Sequence, residues 1–162
     1  MNAPLPSKTA LKDELVRILA ADLEVRERAH RAALEGATHE EAKPENDKDT
    51  RALEQSYLAR GEAARVEEMR EGLVAVKAMA VRAIGEGGPV TLGALVGTEQ
   101  QGASVVLLLA PSGGGTRLAG GSVQVVTPLS PLGRALLGKR AGDELELLVA
   151  GRTREIAVLS VE

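Results

Sequence analysis

The 162-residue chain sets 20 Lys and Arg against 23 Asp and Glu, a formal net charge of −3, and contains one Tyr but no Phe, Trp or Cys. A single aromatic side chain cannot build a base-stacking surface or an aromatic ligand cage, and the net negative charge gives no general field for a polyanion. Without cysteine there is no disulfide, thiol nucleophile or thiolate-bound metal, and two histidines, His30 and His39, cannot make a multi-histidine centre. Any metal must therefore rest on oxygen ligands. The start of the chain, Met1 to Thr9, is polar and contains proline, and no uninterrupted apolar run approaches about 18 residues. These features predict a cytoplasmic protein with no membrane association.

The composition divides near Gly85. Of the 18 glycines only Gly36, Gly61 and Gly72 precede it, and residues 1–84 carry 14 basic and 16 acidic side chains against 6 and 7 in the remainder. The first part reads as helix and the second as sheet, an α+β chain of two units at 1–84 and 87–162.

In the first unit, Leu11, Leu15, Ile18, Val25, Ala29 and Ala32 follow a 4-3 spacing with Asp22 interrupting, which predicts a heptad seam. A second, alanine-rich seam runs through Ala52, Ala59, Ala63, Val66, Leu73 and Ala80, interrupted by Ser56, Arg70 and Lys77. Gly36 is the expected stop of the first helix, and Pro44 disfavours helical geometry at Lys43. The pattern describes an antiparallel coiled-coil hairpin with its turn at 38–50. At 1.5 Å per residue, helices over about 8–35 and 49–83 would be roughly 42 and 52 Å long, reaching well beyond a small domain. Tyr57 is expected to pack against the facing helix. Periodicity alone equally allows a self-associating coiled-coil scaffold.

In the second unit, Val90–Val96, Ala103–Ala110, Ser122–Thr127, Glu144–Val149 and Glu155–Val161 read as strands. A short helix separates the third from the fourth: Ser130 suits its N-cap, Pro131 its first position and Gly138 its exit, with Leu132, Ala135 and Leu136 on one covering face. Gly113-Gly114-Gly115 and Gly120-Gly121 lack the Lys-Ser/Thr ending of a phosphate loop and are followed by a strand, so a flexible hairpin loop is expected there.

Thr127-Pro128-Leu129, the Ser130 to Lys139 segment and Arg140-Ala141-Gly142-Asp143 together resemble the C-terminal signature of the Gre transcription elongation factors (GreA/GreB). The helical pair with its acidic turn is similar to that family in architecture, so the resemblance extends over nearly the whole chain. It implies an FKBP-like C-terminal domain docking at the mouth of the secondary channel of bacterial RNA polymerase, with the coiled coil reaching towards the active site. Tip carboxylates would then help the polymerase hold a magnesium ion and a water, stimulating cleavage of backtracked RNA at the nascent 3′ end. The factor itself is no enzyme: it completes a site whose main carboxylates belong to the polymerase.

The turn holds five carboxylates between Glu40 and Asp49, and magnesium typically takes one or two carboxylates while keeping several waters. The family's Asp-Leu-Ser-Glu-Asn pattern laid on Ala42-Lys43-Pro44-Glu45-Asn46 keeps the Glu and the Asn but replaces Asp with Ala and Ser with Pro. The resemblance makes Glu45 the leading assisting residue and Asp47 the second, with Glu41, Glu45, Asp47 and Asp49 as candidate ligands of a magnesium ion shared with the polymerase. Taken alone, the same residues serve as a solvated turn and helix cap. Lys43 and Lys48 either pair with them or contact RNA or polymerase. His39 is expected to be surface, and His30 receives no role. Arg134, Lys139 and Arg140 are the candidate polymerase-docking residues. A monomer that binds the channel without supporting cleavage is the alternative to a cleavage factor. Prolyl isomerisation is disfavoured, because this domain cannot supply the aromatic walls of that pocket.

Overall fold

The computed structural model describes residues 3–40 and 50–162 of the chain. Two long helices, α1 (Lys8–Glu40) and α2 (Thr50–Ala78), lie antiparallel and are followed by a sheet domain. That domain comprises β1 (Leu95–Gln100), β2 (Ala103–Leu109), β3 (Arg117–Leu118), β4 (Val123–Val126), helix α3 (Pro131–Leu136), β5 (Glu144–Val149) and β6 (Arg152–Val161). The six strands form one sheet in the order β3-β4-β2-β1-β6-β5, antiparallel except where β2 and β4 run parallel. The parallel pair arises because the chain leaving β2 makes the short β3 first and then turns back into β4 through a three-ten turn at Ala119–Gly121.

Several expected boundaries shift. α1 runs through Gly36, which lies inside the helix instead of ending it. α2 stops at Ala78, five residues before the expected end at 83, where Lys12 Nζ donates to the Met79 carbonyl (2.7 Å) and Lys8 Nζ to the Arg82 carbonyl (2.6 Å). These ammonium groups satisfy acceptors just beyond a helix C-terminus, where positive charge is favourable. The first strand is Leu95–Gln100 and not Val90–Val96, because Gly93 (φ +86°) sits in a turn before it. Two tight turns, Gln101-Gly102 and Ala150-Gly151, have positive φ at both residues and close the β1–β2 and β5–β6 hairpins in the twist that two-residue loops favour.

Two apolar layers sandwich the sheet. On one face α3 supplies Leu136, with half-buried Leu132 and Ala135, to a cluster containing Val96, Leu107, Leu109, Leu145, Ile156 and Val158. On the other face the roots of both helices bring Leu11, Leu15, Val76 and Met79 against Leu95, Leu108, Leu118, Val123 and Val125. The arm is thus built into the core.

This explains a corrected seam. Leu11, Leu15 and Ile18 form the stripe of α1 that meets the sheet, whereas the face towards α2 passes through Val16, Leu19, Ala20 and Leu23. Val25, Ala29 and Ala32 are exposed. On α2 the buried positions are Val66, Leu73 and Val76, with Met69 half-buried, so Met69 and Val76 take the places read as interruptions at Arg70 and Lys77. Ala52, Ala63 and Ala80 are exposed, and so is Tyr57, at 73%. The expected packing of the tyrosine is overturned: among the described residues, no apolar side chain of α1 beyond Leu23 is buried.

Candidate functional site

The arm begins with apolar packing and continues with charge. Leu23, Val66 and Leu73 are its outermost buried side chains among the described residues. Beside them Arg70 of α2 reaches across to Glu27 of α1 (Nη2 to Oε1 2.7 Å, Nε to Oε1 3.0 Å) and along its own helix to Glu67 (Nη1 to Oε2 2.8 Å). Hydrogen bonds from Glu27 and then Glu67 hold the Arg70 guanidinium above its ordinary value, so it stays charged at any working pH. Further out, Arg26 pairs with Glu62 at 3.5 Å, and Arg28 with Glu24 within α1. His30, assigned no role from sequence, is half-buried and lines a groove between the helices with Ala33, Leu34, Leu58 and Ala59.

At the far end, α1 closes at Glu40 and α2 opens at Thr50. At 1.5 Å per residue, Glu40 lies about 37 Å along α1 from Leu15, the outermost buried α1 residue in the arm–sheet core. The carboxylates that sequence reasoning singles out, Glu41, Glu45, Asp47 and Asp49, lie outside the described residues, as do Ala42, Lys43, Pro44 and Lys48. Among the described residues no group of three or more His, Cys, Asp or Glu side chains is arranged to hold a metal ion.

The docking candidates gather around α3. Ser130 caps it as expected: its Oγ accepts from the Gly133 N–H (3.0 Å) and donates to the Thr127 carbonyl (2.8 Å), while Pro131 occupies the first turn. The helix exits at Gly138, whose φ of +78° suits glycine. Gly133 has a second reason to be glycine, because an ideal Cβ there falls inside the Thr127 carbonyl group and only 2.6 Å from its carbon. The Thr127–Gly133 segment is therefore a tightly closed backbone unit that fixes what α3 presents outwards.

Arg134 is exposed and donates to the Leu129 carbonyl at 3.2 Å. Leu129 itself, read in the sequence only as part of the Thr127-Pro128-Leu129 signature, is 82% exposed and is the most exposed large apolar side chain among the described residues. Its only sequence signal is an apolar residue placed just before a helix cap, outside the face that covers the sheet. Arg140 is exposed and tied to the linker through the Gly87 carbonyl, and its backbone N–H donates to Asp143 Oδ2 (2.8 Å). Lys139 is half-buried, its backbone bridging Leu136 and Val90. The structure thus brings Arg134 and Leu129 together at the start of α3, with Lys139 and Arg140 at its exit. No described helix is long and apolar enough to cross a membrane.

Residues 114–162 match the family described as "Transcription elongation factor, GreA/GreB, C-term". No curated protein matches the chain at a significant level. Among solved structures, the chain is similar to GreA factor homolog 1 of Thermus thermophilus, at 23% identity over 91% of this chain and 94% of that one (TM-score 0.39). It is also similar to the Thermus aquaticus homologue, at 27% identity over 90% and 92% (TM-score 0.41). A prokaryotic transcription elongation factor GreA/GreB from Nitrosomonas europaea matches at 26% identity over 44% of this chain and 59% of that one (TM-score 0.35). The family match over residues 114–162 takes in α3 with its Ser130-Pro131 cap, the Arg140–Asp143 turn and the last two strands, and it is over these residues that the chain is similar to the GreA/GreB C-terminal domain.

Proposed function

We propose that this chain is a cytoplasmic, monomeric regulator of bacterial RNA polymerase. It docks through the surface around α3 and directs its helical arm into the secondary channel. One observation carries the reading: a domain similar to the GreA/GreB C-terminal domain has a two-helix arm rooted in its own core, and the sequence between those two helices is dense in carboxylates. The division of labour follows from that layout. Leu129, Arg134, Lys139 and Arg140 supply a mixed apolar and cationic surface for the partner, and the charged contacts weaken as salt rises. The arm supplies reach, and residues 41–49 supply oxygen donors.

At the polymerase active site the shared magnesium ion, when bound, contributes charge stabilisation and an activated water for cutting a backtracked transcript. Glu45 and Asp47 act there as assisting carboxylates, with Glu41 and Asp49 as further candidate ligands. The chain performs no chemistry without the polymerase. A second reading has a specific basis: Ala42 and Pro44 stand where the family pattern has Asp and Ser, which favours a factor that occupies the channel and restrains the polymerase without supporting cleavage.

Binding to core RNA polymerase is the primary test, with capture expected and lost progressively with salt. Failure of a purified polymerase to bind, while the chain self-associates in light scattering, supports a coiled-coil scaffold instead. In a backtracked elongation complex with magnesium, RNA shortening that Glu45→Ala abolishes identifies a cleavage factor. Binding that slows synthesis without shortening identifies the restraining one.

A further inference from the structure

The glycine-rich loop between β2 and β3 is neither a phosphate loop nor a flexible hairpin. It is hydrogen-bonded to β4 on both sides, Ala110 N–H to the Val126 carbonyl and Gly115 N–H to the Val125 carbonyl, both at 2.9 Å. It is closed internally by Thr116 N–H to the Gly113 carbonyl at 3.1 Å. Thus braced on the sheet, it touches both arm helices at places without a side chain. On α1, a Cβ at Gly113 would stand 2.9 Å from Leu15 Cδ1 and 3.4 Å from Leu19 Cδ2. On α2, a Cβ at Gly72 would fall well inside contact distance of Ser112 Oγ and 3.0 Å from Ser112 Cβ. A third contact lies on α1, where the Glu14 carboxylate accepts from the Ala119 N–H at 3.1 and 3.3 Å.

A helix held at one point along its axis can pivot; a helix held at two points has a direction. The root cluster supplies the first point through Val76, and Gly72 lies one turn, about 6 Å, farther out. We infer that Gly72 is a positioning residue: its missing side chain lets Ser112 seat against α2, and this contact, with Gly113 against α1, sets the direction in which the arm leaves the sheet domain. Glycine in a helix interior is unfavourable relative to alanine, a cost this close approach accounts for. The consequence for the polymerase rests on the function proposed above; the direction itself does not.

The lever arithmetic gives the expected size. Ordinary contact needs 3.4–4 Å where 3.0 Å is available to Ser112 Cβ, so a side chain at position 72 displaces the helix by about 1 Å. Position 31 of α1 lies about 24 Å beyond Leu15, which stands with Val76 in the root cluster, so a 1 Å shift acting about 6 Å from that pivot moves it by about 4 Å. The chain has no cysteine, so Arg31→Cys and Thr153→Cys, both at exposed positions, accept spin labels on the arm and on the sheet without competition.

The pulsed electron–electron distance is measured in the doubly labelled chain, with Gly72→Val added, and with Gly72→Val plus Ser112→Gly, which removes both atoms that meet the new Cβ. A shift of about 4 Å on Gly72→Val, reversed by Ser112→Gly, is expected. Ser112→Leu applies the same push from the loop side and carries the test if Gly72→Val does not fold. An unchanged distance in a folded Gly72→Val or Ser112→Leu chain, with helicity retained by circular dichroism, overturns the inference, as does a shift that Ser112→Gly leaves in place. With core RNA polymerase, Gly72→Val is expected to keep binding while losing at least about tenfold of its effect on RNA cleavage or synthesis. If the parent chain does not bind polymerase at all, the proposed function fails while the distance result still decides the role of Gly72.

Discussion

Gly133→Ala is a substitution for which helix propensity and tertiary geometry give opposite signs. Propensity alone favours alanine within a helix by about 1 kcal/mol. Here the added Cβ lands 2.6 Å from the Thr127 carbonyl carbon and closer still to its oxygen. Both are backbone atoms that no rotamer change can move aside. Relief needs the 127–130 segment and α3 to separate by about 1 Å, and overpacking of this kind typically costs about 1–3 kcal/mol. The same movement pulls apart the Ser130 Oγ bond to Thr127 (2.8 Å) and the Gly133 N–H bond to Ser130 (3.0 Å), the cap of α3, for roughly another 1 kcal/mol. The net expectation is a loss of about 2 kcal/mol; with a urea slope of about 2 kcal/mol per molar, the unfolding midpoint falls by about 1 M. Urea titration followed by far-ultraviolet circular dichroism measures it, with Ser130→Ala as the cap-only comparison, expected to lose about 1 kcal/mol. A midpoint equal to or above that of the parent chain would refute the backbone-closure argument, because the propensity gain would then stand unopposed.

Glu14→Gln keeps an acceptor near the Ala119 N–H but removes its charge; at this half-exposed position the loss is expected to be about 1 kcal/mol, read from the urea midpoint with an unchanged slope. Lys8 gives a pH test. Desolvation lowers its pKa below 10.5, while the Glu162 charge pulls weakly in the opposite direction. Between the lowered value and 10.5 the unfolded chain therefore binds more protons than the folded one, and the Lys8 contribution rises with pH across that alkaline window. Thermal melts from pH 8 to 10.5 are expected to show a shallower alkaline gain in Lys8→Met than in the parent chain.

Residues with local jobs were legible in the sequence. Ser130, Pro131 and Gly138 act through backbone geometry within a few positions of themselves, so their pattern fixes the short helix without reference to the rest of the molecule. The division into helical arm and sheet domain was equally plain, because charge and glycine separate with it. What failed was every inference needing to know which neighbour a side chain meets. Leu11, Leu15 and Ile18 do lie on one stripe, but the stripe faces the sheet, and the α2-facing seam through Leu19 and Leu23 sits beside it. Spacing cannot separate two adjoining apolar faces on one helix. β1 was displaced for a related reason: Thr98, Glu99 and Gln100 look like a loop, yet they pair with β2 and β6, and buried Thr98 donates to the Val105 carbonyl at 2.9 Å. Glu14 and Gly72 received no role because their importance lies in contacts that only the folded chain defines, and Leu129, read only within the signature, shows its exposure only there. The acidic segment at 41–49 was legible as composition alone.

The distribution of packing along the arm has a dynamic consequence. Inside Leu23 and Val66 the helices bury apolar side chains against each other and the sheet; outside them, among the described residues, none is buried. Val25, Leu53, Tyr57 and Leu58 are each at least 61% exposed. The outer helices are linked by the Arg26–Glu62 pair at 3.5 Å, a half-exposed contact of the kind that contributes below about 1 kcal/mol. Helices without a packed face hold only marginally in water. Native-state hydrogen exchange should therefore divide the arm: amides of residues 15–23 and 66–76 exchange near the global unfolding free energy, whereas those of 24–36 and 53–63 exchange by local opening several kcal/mol cheaper. Added salt should lower protection further in the outer set, because little but charge links its two helices, and leave the inner set nearly unchanged. Uniform protection from 15 to 36 would refute this division of the arm. A divided arm has a direction set at its root, where both helices pack on the sheet, and an outer part that opens locally without unfolding that root.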